Sequence, residues 1–238
     1  MKSKLNQLIK WTPLLASLVL FSCRKDADNS PVIEKEINLN GFTKVYAGER
    51  FNIIITKGIN YSVKAKGPAN SVNDIDWTVA NNILDIQYSH YQTVRPKVDI
   101  IITLPILVQL SLSGAGTGTI NGFDGVSNVV RAVLSGASKC TLNGTGVNTQ
   151  IDISGVSELI VNGSTESLYG NISGAGRLHA YDLASAEVDI SASGGSEARV
   201  KVADRFFAEA TGGSRIYYKG TPAVKNIQTS GGGQVIQQ

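Results

Sequence analysis

The chain has 238 residues, 42% of them hydrophobic and 25 of them glycine, enough for one domain with a continuous core. Its formal charge of +3 arises in the first 22 residues, which hold three lysines and no acid, so beyond them 19 bases meet 19 acids. That balance argues against a nucleic-acid partner, and two cysteines, Cys23 and Cys140, argue against a disulfide scaffold.

At the N-terminus, Lys2, Lys4 and Lys10 precede an apolar run of 11 residues from Trp11 to Phe21. Such a run is too short to cross ~30 Å of hydrocarbon as a permanent helix. Leu20-Phe21-Ser22-Cys23 has the form of a bacterial lipobox, with a small residue before the cysteine that becomes acylated. Residues 1–22 are therefore expected to be a lipoprotein signal peptide, Cys23 the lipidated residue, and residues 23–40 a tether opening on the polar run Arg24 to Pro31. No Asp follows the cysteine, as in lipoproteins sent to the outer membrane. The chain is expected in the cell envelope, held to the membrane by its lipid and facing either the periplasm or the outside.

Residues 41–112 carry strand alternation at Phe51-Ile53-Ile55, Tyr61-Val63-Ala65, Leu84-Ile86-Tyr88 and Val98-Ile100-Ile102-Leu104, with Pro105 ending the last. They read as less regular coils that cap a regular repeat beginning at residue 113. Between two of these strands lies Tyr88-Ser89-His90-Tyr91-Gln92-Thr93-Val94-Arg95-Pro96. The rings of Tyr88, His90 and Tyr91 make this loop a candidate binding element, unless they pack onto the first coil.

From residue 113 to 238 a short signature recurs seven times: SGAG at Ser113, SGAS at Ser135, SGVS at Ser154, SGAG at Ser173, SGGS at Ser193, TGGS at Thr211 and SGGG at Ser230. A period of about 19–20 residues without helical segments means a solenoid whose coils pack only on their neighbours. Counted from the motif serine or threonine, the residue before it and the fifth after it form apolar or small columns, and the alternation places both inside. Positions one and three, always Gly or Ser, are read as an inward corner too tight for a larger side chain. Position four runs Thr117, Lys139, Glu158, Arg177, Glu197, Arg215, Gln234, so that coils ~4.8 Å apart bring opposite charges together on the outer face. Asn-Gly pairs at Asn121, Asn143 and Asn162 supply turns. The expected fold is all-β, a right-handed parallel β-helix with less regular N-terminal coils. A hairpin sandwich would alternate its registers instead of repeating one motif per coil. Gln234 to Gln238 ends as an uncovered strand, an edge that could pair with a second copy.

The lipobox, Phe-x-x-Val-x-Ala-Gly (Phe42 to Gly48), Ile-Thr-Leu-Pro (Ile102 to Pro105), the Leu-x-x-Ser-Gly-x-Gly that comes after it and Gly118-Thr119-Ile120-Asn121-Gly122 together resemble the putative auto-transporter adhesin, head GIN domain family. The likeness runs from Gly41 to Gln238. It implies a β-helical fold and a secreted or lipid-anchored protein of Bacteroidetes, and it supplies no catalytic or binding residues.

The residues themselves point to no cofactor or metal: calcium nonapeptide, Cys/His metal spacing, phosphate loop and nucleophile elbow are all missing, and the carboxylates are scattered among bases. Cys140 sits in an inward column, as a buried small hydrophobe. Position six places His179, Arg199 and Tyr217 on successive coils with Tyr181 nearby, a strip able to stack on sugars or peptide groups, or else decoration of a solvated face. A binding or adhesion module for glycan or protein is expected first, a self-associating structural protein second, and a carbohydrate-active enzyme third.

Overall fold

The computed structural model describes residues 28–90, 92, 95–123 and 129–238; the signal, Cys23 and Tyr91 lie outside them. The chain begins with β1 (Val32–Ile37), β2 (Lys44–Ala47), β3 (Phe51–Lys57), β4 (Ser62–Pro68), a short helix α1 (Ala69–Asn73), β5 (Ile75–Ala80), β6 (Ile83–Tyr88) and β7 (Val98–Leu104). A more regular series comes next: β8 (Gln109–Leu112), β9 (Thr117–Asn121), β10 (Val129–Leu134), β11 (Lys139–Asn143) and β12 (Asn148–Ile153). It continues through β13 (Glu158–Ile172), β14 (Arg177–Ala192), β15 (Glu197–Ala210), β16 (Arg215–Lys219), β17 (Val224–Thr229) and β18 (Gln234–Gln237).

Each coil of this series is two strands meeting at a Ser-Gly corner. Strands before the corner stack in parallel as a first wall, from β8 through β10 and β12 and the later halves of β13, β14 and β15 to β17. Strands after it stack as a second wall, from β9 through β11 and the earlier halves of β13, β14 and β15 to β16 and β18. The result is a parallel β-helix of about six turns. Its register is the one the motif predicts: Leu159 faces Cys140 and Leu178, and Glu158 faces Lys139 and Arg177.

The corner corrects one expectation. Position three is indeed inward, with Ser138, Ser157, Ser196 and Ser214 at most 2% exposed. Position one is not: Gly114, Gly136, Gly155, Gly174, Gly194 and Gly212 are exposed turn residues with φ between 66° and 73°. Two constraints exclude a side chain there. The left-handed region penalises a Cβ, and a Cβ on Gly155 would stand 2.4 Å from the Gly136 carbonyl oxygen of the coil before. That closeness exists because the next residue's N–H donates to the same carbonyl, as from Val156 to Gly136 (2.7 Å) and from Ala175 to Gly155 (2.8 Å). The ladder thus runs unbroken around the corner. Buried serine hydroxyls find partners in the neighbouring coil, for example Ser214 Oγ to the Ala192 carbonyl at 2.9 Å.

Behind the corner the interior is filled by stacked columns. Leu112, Leu134, Ile153, Ile172, Ala192 and Ala210 are all at most 2% exposed. Column volumes compensate: Gly170 lies in register between Ile151 and Ile190, and a Cβ on it would meet Ile151 Cγ1 at 2.4 Å.

The N-terminal part is built differently. β2 and β3 form a coil on the same stack, parallel to β8 and β9, with Glu49 at φ 62° where the repeats have glycine. β6 and β7 add a further coil outside them, so that β2 and β3 are sandwiched out of chain order. Antiparallel strands then close the end: β5 on β6, β4 on β7, and β1 on β4. β1 falls within the stretch expected to be a tether. At the other end β17 and β18 are edge strands, and Ile227, in register with buried Ala208, is 41% exposed. A charge does guard that end. Lys225 is in register with buried Phe206 and hence on the inward side of β17, a device that discourages edge pairing.

This packing can be checked by two stability measurements. In urea unfolding, Leu159→Ala is expected to cost ~2–5 kcal/mol by leaving a cavity, whereas Glu158→Ala, whose carboxylate meets Lys139 Nζ at 3.0 Å on the outer face, costs under ~1 kcal/mol. Equal costs would reverse the assignment of faces. Gly155→Val should cost at least ~2 kcal/mol through backbone strain and the clash with Gly136. An unchanged midpoint would show that the corner is not a stacked element.

Candidate functional site

Alternation along each strand leaves three outward columns on the second wall, at positions four, six and eight of the repeat. Column four is an electrostatic ladder. It begins in the cap, where Asn52 Nδ2 donates to Asp99 Oδ1 (2.7 Å) and Thr117 Oγ1 donates to Asn52 Oδ1 (2.7 Å). It continues through Lys139 and Glu158, and the lysine beside the Glu158 carboxyl holds it below its usual range, outweighing burial, with His179 and Arg177 adding to the effect.

Column six carries the strip expected from the repeat. His179 pairs in register with Arg199, and Arg199 with Tyr217, all three half-buried. His179 Nε2 lies 3.4 Å from Glu158 Oε1. The Arg199 guanidinium binds Glu197 Oε1 at 2.8 Å and stands 5.9 Å from the Tyr217 ring centroid. Tyr181, in column eight, lies along the wall: Lys219 Nζ is 4.4 Å from its ring centroid, and its hydroxyl donates to Gln238 Oε1 at 2.7 Å. Burial is the main cause raising its hydroxyl pKa. His179, Arg199, Tyr217 and Tyr181, four of the candidates, thus share the outer side of one wall, backed by buried Leu178, Ala198 and Ile216.

The loop after β6 has a different role. Tyr88 is 9% exposed, stacked on Phe51 at 4.5 Å, with the Arg95 guanidinium 3.7 Å from its centroid, so that no ring face is open to a ligand. Burial pushes its hydroxyl up to about 12. Arg95, itself 3% exposed, binds Asp74 Oδ2 and the His90 carbonyl. His90 is exposed, with Nδ1 2.5 Å from Asp74 Oδ1. Burial acts to raise the Asp74 pKa, but the His90 and Arg95 contacts prevail and lower it. Tyr88 and His90 therefore belong to a clasp that fastens the loop to the residue after α1. The signal for this was present in the sequence as Arg95, whose charge needs a partner if the loop packs down. Tyr91 lies outside the described residues.

Carboxylates elsewhere are dispersed. Asp152 pairs with Arg131 (2.5 Å) and Glu187 with Arg205 (2.6 Å) on the first wall, and burial raises the pKa of Asp189 between them. Glu49 and Asp85 line an open groove of 670 Å³ with Tyr46, Gln87, Ser111 and Ser113, and no Arg, Lys or His among the described residues lines it. Asp85 accepts from Gln87 Nε2 at 2.6 Å. The Cys140 thiol is buried and pushed up to about 12 by desolvation, far from a nucleophile's range.

Residues 41–222 match the family model described as "Putative auto-transporter adhesin, head GIN domain", and the chain belongs to that family. No curated protein sequence matches it. Among solved structures it is similar to a putative adhesin from Bacteroides fragilis, at 23% identity and a TM-score of 0.78 over 90% of this chain and 100% of that one. It is also similar to two proteins of Parabacteroides distasonis. One is a putative adhesin, at 18% identity and a TM-score of 0.70 over 89% and 99% of the two chains. The other is a putative lipid binding protein, at 15% identity and a TM-score of 0.64 over 90% and 99%. These likenesses bear on the fold.

Proposed function

We propose that this member of the head GIN domain family is a lipid-anchored binding or adhesion module of the cell envelope, fixed to the outer membrane through Cys23 and taking glycan or protein ligands on the outer face of its second wall. The observation that carries the reading is the strip His179, Arg199 and Tyr217, held in register on three successive coils. Coils ~4.8 Å apart give it a length of ~10 Å, about the reach of a disaccharide or a short peptide. A surface so closely backed by core is already ordered, which lowers the cost of binding. The relatives' descriptions as adhesins and as a lipid binding protein support binding in preference to catalysis. The lipobox ending at Cys23 and the apolar run before it support the anchor.

The anchor is tested in the native host. Cys23→Ser should lose labelling by a fatty-acid analogue and move from the membrane to the soluble fraction; retained labelling would refute it. The strip is tested with Tyr217→Ala combined with Arg199→Ala, which should weaken adhesion to immobilised glycans or matrix proteins while the melting temperature moves by no more than a few degrees. Undiminished adhesion to every surface that the parent binds would remove the strip from the reading.

A further inference from the structure

The two walls of the solenoid differ in charge. In the coils beginning at Ser173, Ser193 and Thr211, the second wall presents Arg177, Arg199, Lys201, Arg215 and Lys219 outward against a single acid, Glu197. The first wall of the same coils presents Glu187, Asp189 and Glu209 against Arg205 alone. Side chains in register on a parallel sheet share a face, so this separation stems from the alternation and is not a rotamer choice. Of the five cations, Arg199 is tied to Glu197 and Lys219 stands over Tyr181. Arg177, Lys201 and Arg215 are exposed and make no ion pair among the described residues.

We infer that this patch binds an acidic polysaccharide, one bearing carboxylates or sulfates along its length, laid over columns four, six and eight of the second wall. The inference rests on the binding reading above and names its ligand class. Charge complementarity selects a polyanion, because on this wall five cations face the single acid Glu197, which is in register between Arg177 and Arg215, and the excess positive charge gains a counter-charge only from outside. The aromatic rings select a saccharide among polyanions: Tyr217 and Tyr181 lie within the patch and offer apolar surface beside the cations, which suits the C–H faces of sugar rings. The exposed acids Asp182 and Asp204 lie on β14 and β15 beyond column eight, outside the patch. No deep cavity is needed, since an extended chain bound along a flat wall distributes its contacts over successive coils.

The test uses the full chain purified in detergent from its host, with polygalacturonate as the acidic probe, dextran as the neutral one and single-stranded DNA as a polyanion without sugar acids. Binding to polygalacturonate is expected, weakening as sodium chloride rises from low to physiological ionic strength. Arg177→Gln, Lys201→Gln and Arg215→Gln together should raise its Kd at least ~10-fold, as loss of electrostatic steering requires. Asp189→Asn with Glu209→Gln, on the opposite wall, should not raise it, and both variants should melt with the parent. Equal affinity for dextran, tighter binding to DNA, or an unchanged Kd in the triple variant would overturn the acidic-polysaccharide assignment while leaving a binding module in place. Failure to bind any glycan or matrix protein would overturn both.

Discussion

Backbone stacking at the corners is the constraint on which the solenoid depends. A left-handed glycine turns each strand into the next wall, and its carbonyl receives the N–H of the residue after the corner glycine one coil further on, at 2.7 to 2.8 Å from Ala137 through Gly213. Turns usually interrupt a sheet's hydrogen bonding. Here they continue it, so the two walls and the corner share one ladder, as in the bonds from Ser154, Val156 and Glu158 to Leu134, Gly136 and Ser138. The close approach that makes this ladder leaves no room for a Cβ, which is why the glycine recurs where composition elsewhere in the repeat drifts.

With the corner set, the interior adjusts by column. A parallel stack places the same repeat position of successive coils in contact, so volume is conserved along the column and not within a coil. Gly118 lies between Leu112, Leu110 and Cys140, and near the C-terminal end Phe206 packs on Tyr218 with centroids 4.5 Å apart. The ends cannot share this economy because each lacks a neighbour. The N-terminal end is closed by antiparallel strands and the Tyr88–Arg95–Asp74 clasp, the C-terminal end by an inward lysine on an otherwise uncovered rung.

The same geometry organises the surface. Because outward residues stack in columns, a face accumulates whatever charge its column carries, and a chain whose acids and bases cancel beyond residue 22 still shows one basic and one acidic wall. Net charge is a scalar, whereas a ligand meets one face. Column four keeps its alternation through Arg215, and the excess of cations on the second wall beyond Glu158 comes from Arg199, Lys201 and Lys219 in columns six and eight. The aromatic strip begins at that point.

By itself the sequence determined the coil. The Ser-Gly period, the inward columns and the charge ladder at position four are local and repeated, and each repeat confirms the register of the last. It also placed His179, Arg199 and Tyr217 on one strip, since register comes from counting. Left to the tertiary structure are the features that occur only once. Glu49 stands at a corner without glycine, and no period marks it. β6 and β7 stack outside β2 and β3 against chain order, a choice settled by long-range pairing and not by any local signal. The corner glycine's outward placement escaped the alternation rule because a left-handed residue breaks strand periodicity. Tyr88, a candidate either for binding or for packing on the first coil, is buried because Arg95 and Phe51 close on it, and whether an aromatic side chain meets solvent or a neighbour is decided only once distant segments are brought together.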